Sequence, residues 1–126
     1  MNDVQFDDKV PIYYQIKNYL YHRIVAGDLQ PGEKLPAVRQ LAVDLTVNVN
    51  TVQRALSEMI HEEILVSKRG RGNFVTEEPA KIAALKQRLI TAYIQELYTQ
   101  LHALKLSDRD IVTEIQHYIQ TRGDQA

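Results

Sequence analysis

The chain has 126 residues, enough for one ordinary domain or for a small domain with an appendage. Its 44% apolar and 25% charged residues exclude a disordered chain, and no apolar run approaches the ~20 residues of a membrane span, so no membrane partner is expected. The net charge of −1 announces no nucleic-acid partner, so any anion-binding surface must be local, and the absence of cysteine excludes disulfides and points to a reducing cytoplasm.

Residues 2–9 are polar and acidic, with Val4 and Phe6 alternating as in a short strand or arm, and Met1-Asn2-Asp3 opens no signal peptide. Pro11 suits the first turn of a helix whose apolar residues recur at Ile12, Ile16, Leu20 and Ile24 until Gly27 stops it. Tyr13, Tyr14, Tyr19 and Tyr21 crowd this helix, where packing against a partner helix explains them better than base stacking. Asp28-Leu29-Gln30-Pro31-Gly32-Glu33 is a turn, its Pro-Gly pair in the order that type II requires. A short second helix is predicted over 37–45, with Val38, Leu41, Ala42 and Leu45 as its apolar stripe. Arg39 and Gln40 point away from that stripe near the helix N-terminus, a place that favours phosphate.

Only Thr46-Val47-Asn48 separates this helix from a third, for which Asn48 is a natural N-cap. Val52, Ala55, Leu56, Met59 and Ile60 form one stripe of the third helix; Asn50, Arg54, Ser57 and His61 fall opposite, flanked by Thr51 and Gln53. No acid appears before Glu58, so the first two turns offer amides, a hydroxyl and a guanidinium. Those groups suit base edges in a major groove, where Asn and Gln pair with adenine and Arg with guanine. Two short amphipathic helices joined by such a turn make a helix-turn-helix, and the second is the reading helix.

After Glu63 the period changes. Residues 64–68 and 73–76 are strand-like, separated by Arg69-Gly70-Arg71-Gly72, and Lys68, Arg69 and Arg71 cluster with no acid between Glu63 and Glu77. Alone, such a hairpin is equally a surface loop kept soluble by charge. Directly after a reading helix it is a wing. The fold class is therefore mainly α with a small β wing: a winged helix-turn-helix over 1–77, then a C-terminal helical hairpin over 78–126.

From about Pro11 to Thr76 the chain resembles the N-terminal domain of the GntR family of bacterial transcription regulators. The motif is carried by Gly27-Asp28-Leu29-Gln30-Pro31-Gly32, Leu35-Pro36-Ala37-Val38-Arg39-Gln40-Leu41-Ala42, Val47-Asn48-Val49-Asn50-Thr51-Val52 with Ala55-Leu56, and Gly70-Arg71-Gly72-Asn73-Phe74-Val75. The resemblance implies DNA contacts at Arg39, Asn48, Asn50, Thr51, Gln53, Arg69, Gly70 and Arg71; helix geometry and the charge cluster add Arg54 and Lys68. Four positions depart from the family pattern: Ala37 replaces a serine, Thr46 and Glu63 replace glycines, and Asn73 replaces a small threonine. A left-handed non-glycine residue at Thr46 would cost roughly 1–2 kcal/mol.

Pro79 opens a long helix with a stripe of Ile82, Leu85, Leu89, Tyr93, Leu97, Leu101 and Leu104. Ser107 with Asp110 starts a shorter one carrying Ile111, Ile115, Tyr118 and Ile119, and Gly123 ends it. So small a hairpin cannot bury that stripe unaided, so it must dock onto the winged domain or a second subunit. The tail is similar to the short two-helix tail of the YtrA subfamily, which implies a homodimer formed through Leu85, Leu89, Tyr93, Leu97 and Leu101.

His22, His61, His102 and His117 have no metal-ligand spacing, and the adjacent acid pairs do not share a face. The sequence assigns no catalytic residue, no metal and no cofactor, and an unknown small-molecule effector would sit between tail and winged domain, with no residues assigned. Two functions of different class remain: a homodimeric repressor of a double-stranded DNA operator, or a winged-helix adaptor that uses the same basic residues to hold a protein. The basic tip and the acid-free face favour the first.

Overall fold

The computed structural model describes residue 6 and residues 8–122. Within them the elements run α1 (Ile12–Ala26), α2 (Val38–Leu45), α3 (Val49–His61), β1 (Leu65–Lys68), β2 (Gly72–Val75), α4 (Pro79–Ala103) and α5 (Asp108–Thr121). The predicted N-terminal strand or arm falls largely outside the described residues, as does the stop at Gly123.

The Pro11 carbonyl accepts from the N–H groups of Tyr14 and Gln15 at 3.1 and 3.2 Å, so the proline begins the helix without needing a donor. Gly27 ends α1 at φ 87°, its N–H donating to Ile24 O at 3.2 Å. In the turn that follows, Gly32 takes φ 79° while Glu33 N–H donates to Gln30 O at 2.9 Å, as a type II turn with Pro-Gly at its centre demands. α2 starts at Val38, one residue later than the spacing suggests, with the extended Ala37 as an N-cap that offers no side-chain oxygen.

Thr46 turns the chain between α2 and α3 at φ 56° and ψ 50°, the left-handed conformation that its family glycine would adopt without cost. Glu63 is left-handed as well, at φ 66°. Asn48 Oδ1 then accepts from Asn50 N–H at 2.7 Å and caps α3.

The core lies where α1 and α2 meet the inner face of α3. Ile16, Leu20 and Ile24 pack from the first, Leu41, Ala42 and Leu45 from the second, and Val52, Ala55, Leu56 and Met59 from the third. Each fully buried aliphatic side chain contributes about 1.5–3 kcal/mol, so the 3.6-residue spacing of these positions fixes which face of α3 remains outside.

β1 and β2 pair antiparallel, with Leu65 opposite Val75 and Lys68 opposite Gly72. Leu65 and Val75 turn inward and anchor the hairpin to the core. The sheet has a neighbour that the sequence did not announce. Lys34 bridges to Phe74, Leu35 N–H donates to Asn73 O at 2.8 Å, and Val75 N–H donates to Glu33 O at 2.9 Å. The stretch from the end of that turn to Leu35 thus runs along β2 and places Lys34 on the wing.

The described residues up to Lys86 form one compact unit and those from Gln87 a second. In the first unit Leu85 is buried. In the second, Ser107 Oγ accepts from Asp110 N–H at 3.2 Å and caps α5, and Tyr98 OH donates to Asp108 Oδ1 at 2.8 Å. There Leu89 and Leu101 are half-buried, while Tyr93, Ile94, Leu97, Tyr98, Tyr118 and Ile119 stand exposed. No helix among the described residues is long and apolar enough to cross a membrane.

Candidate nucleic-acid interface

With Val52, Ala55, Leu56 and Met59 committed to the core, α3 presents Asn50, Gln53, Arg54, Ser57 and His61 to solvent, and Thr51 half-exposed beside them. No acid stands in the first turn of α3. Asn48 is exposed, but its oxygen is spent on the cap. Arg39 projects from α2 with no ion-pair partner among the described residues.

The acids at the far end of α3 are held by α1. Lys17, only 6% exposed, donates to Glu58 Oε1 at 2.9 Å and to Glu62 Oε2 at 2.7 Å. Tyr21 OH donates to the other oxygen of Glu62. Burial alone would pull the Lys17 ammonium down, but the two carboxylates outweigh it and hold it above the usual lysine range. The hydrogen bond from Lys17 in turn holds Glu58 below the usual carboxylate range. Lys17 thus offsets one of these two negative charges from behind the helix, and Arg54, paired with Glu58, offsets the other.

Arg54 is not loose. Its guanidinium carbon lies 3.7 Å from the ring centroid of Tyr13 on α1, and its Nε donates to Glu58 Oε2 at 3.4 Å. Two of the four tyrosines of α1 thus meet α3 or its C-cap, Tyr13 through Arg54 and Tyr21 through Glu62, while Tyr19 meets Arg23 of its own helix and Tyr14 is exposed.

On the wing, Gly70 at φ 74° and Gly72 at φ 114° shape a tip that leaves Arg69 and Arg71 exposed. Lys68 Nζ sits 4.5 Å from the Phe74 ring centroid and the Arg71 guanidinium 5.8 Å from it, so one aromatic face gathers two cations. Lys34 joins them. A Cβ at Gly72 would meet Lys34 Cε at 3.0 Å, so the glycine leaves room for that side chain to cross the hairpin. Neither Lys34 nor the seat of Arg54 on Tyr13 was legible in the sequence, because both contacts join residues about forty apart with no shared periodicity.

A three-helix core that bares, after a tight turn, a helix with no acid in its first two turns, beside a basic two-stranded hairpin, defines a winged helix-turn-helix DNA-binding protein. The pattern described as bacterial regulatory proteins of the gntR family matches residues 12–75, and the chain belongs to that family. It is 35% identical to the HTH-type transcriptional regulator YhcF of Bacillus subtilis over 116 residues, 92% of this chain and 96% of that one. To the HTH-type transcriptional repressor YtrA of the same bacterium it is 33% identical, over 83% of this chain and 87% of that one. A solved GntR family transcriptional regulator from Listeria monocytogenes superposes with a TM-score of 0.83 at 34% identity, covering 89% of this chain and 98% of that one. The family and these relatives are transcription regulators, not enzymes.

Proposed function

We propose that the chain is a cytoplasmic homodimeric repressor that binds a two-fold symmetric operator. The observation that carries this reading is the exposed, acid-free face of α3 beside the basic wing. Asn50 and Gln53, with Arg39 from α2, are the side chains that would reach base edges. Lys68, Arg69, Gly70 and Arg71 would meet the sugar–phosphate backbone, joined by Lys34. Repression is supported by the name of the similar YtrA. Dimerisation is supported by Tyr93, Ile94, Leu97 and Tyr98, large apolar or aromatic side chains that the single chain leaves in water.

A gel shift on DNA from upstream of the protein's own gene, with scrambled duplex as competitor, tests the reading. A complex that survives excess competitor supports it. Absence of binding to either duplex at low salt overturns it and leaves a winged-helix adaptor for a protein partner.

A further inference from the structure

The contact between Arg54 and Tyr13 separates this arginine from its neighbours on α3. Asn50 and Gln53 have solvent before them, whereas the Arg54 guanidinium lies against the ring face of a residue on α1. At 3.7 Å from carbon to ring centroid, the group is in van der Waals contact with the ring and within cation–π range. The Arg54 side chain nevertheless remains 61% exposed. Its Nε edge faces Glu58, and the 3.4 Å separation is long for a charge-assisted hydrogen bond, whose usual length is about 2.7–2.9 Å. Glu58 is held more closely by Lys17 at 2.9 Å, and Lys17 also holds Glu62. The carboxylate therefore meets the guanidinium along its Nε edge alone and orients it. The outer edge, with both Nη nitrogens, makes no hydrogen bond with a described residue.

A planar cation fixed on one face, guided along one edge and open along the other is pre-organised for a bidentate anion. Its seat on Tyr13 of α1 sets it apart from Asn50 and Gln53, for which no such contact holds the side chain among the described residues. We propose that Arg54 is a phosphate clamp rather than a base reader, and that Tyr13 is the positioning residue that holds it in place. This rests on the reading of α3 as the helix that enters the groove. It adds a DNA-directed role for α1, a helix otherwise concerned with the core.

The test measures affinity and its salt dependence for upstream DNA and for a scrambled duplex of equal length. Arg54→Ala is expected to weaken binding to both by a similar factor, roughly tenfold, and to reduce the salt slope by about 1. Tyr13→Leu, which keeps apolar bulk on α1, is expected to reproduce most of that loss on both duplexes. Tyr13→Phe, which keeps the ring, should stay within about twofold of the parent, because the stack needs no hydroxyl. Adding Tyr13→Leu to Arg54→Ala should cost little more, since both changes remove one interaction. Thermal melting of each variant checks that the fold persists. The proposal is overturned if Tyr13→Leu binds as the parent does, if its loss simply adds to that of Arg54→Ala, or if Tyr13→Phe is as weak as Tyr13→Leu. It is equally overturned if Arg54→Ala loses affinity on upstream DNA alone, which makes Arg54 a base reader. Because a phosphate contact acts on any duplex, the scrambled arm decides the matter even where operator specificity fails.

Discussion

Thr46 and Glu63 both hold positive φ, at 56° and 66°, where an L residue is strained and the family uses glycine. They do not have the same consequence. Thr46 is exposed, and its side chain makes no hydrogen bond with a described residue, so Thr46→Gly should relieve strain at the turn before α3. After the extra entropy that glycine loses on folding, the expected gain is about 0.5–1 kcal/mol, a rise of roughly 2–5 °C in Tm. Glu63 holds Lys81 at 2.6 Å, so Glu63→Gly should gain less. A lower Tm for Thr46→Gly would contradict this assignment of strain. The Lys17 cluster makes a different forecast, in pH. Glu58 is depressed below its ordinary 4.5, so its contribution is present above that value and is lost as pH falls through the folded one. Lys17 is raised above its ordinary 10.5, so its contribution is present below that value and is lost only in strong base. The cluster should therefore add no pH slope to Tm between these limits and should contribute to a fall on the acid side, which Glu58→Gln should blunt. Identical acid profiles for parent and variant would show that the cluster does not couple α1 to α3.

At the scale of elements, the helices were legible because each shows its apolar stripe in its own sequence. Val52, Ala55, Leu56 and Met59 are buried as their spacing requires, and Asn48 caps α3 as its type suggests. The wing was legible from its glycines and strand-like runs. What escaped was contact between elements. Nothing local marks Lys34 as a neighbour of Phe74, or Lys17 as a buried cation between two acids of α3, since a lysine on a helix ordinarily reads as solvated. The wing's geometry bears on its proposed chemistry: exposed cations at a tight glycine tip would meet backbone charge more readily than base edges. Lys68→Ala, Arg69→Ala and Arg71→Ala are each expected to weaken binding to all DNA and to lower the salt slope by about 1 per lost phosphate contact. An unchanged slope in all three would remove the wing from the interface.

At the scale of the whole molecule, the second unit leaves apolar side chains uncovered, and Tyr93, Leu97 and Leu104 are the exposed members of the predicted stripe. Leu85 is already buried in the single chain, so the proposed contact with a second copy would use the residues from Leu89 onward. Replacing Leu89 and Leu97 together by Asp should give monomer or insoluble protein, and a folded dimer of that variant by light scattering would place the interface elsewhere. A dimer carrying one α3 per subunit would meet two half-sites whose centres lie about 10 bp apart, one helical turn along the same face of the duplex. Sequence recognition by α3 is most directly tested by the affinity of Asn50→Ala and Gln53→Ala for upstream and scrambled DNA at one fixed salt. Each is predicted to lose roughly 1–3 kcal/mol on the operator and much less on scrambled duplex. Equal losses on both would contradict base reading by this helix and leave the sequence preference to DNA shape.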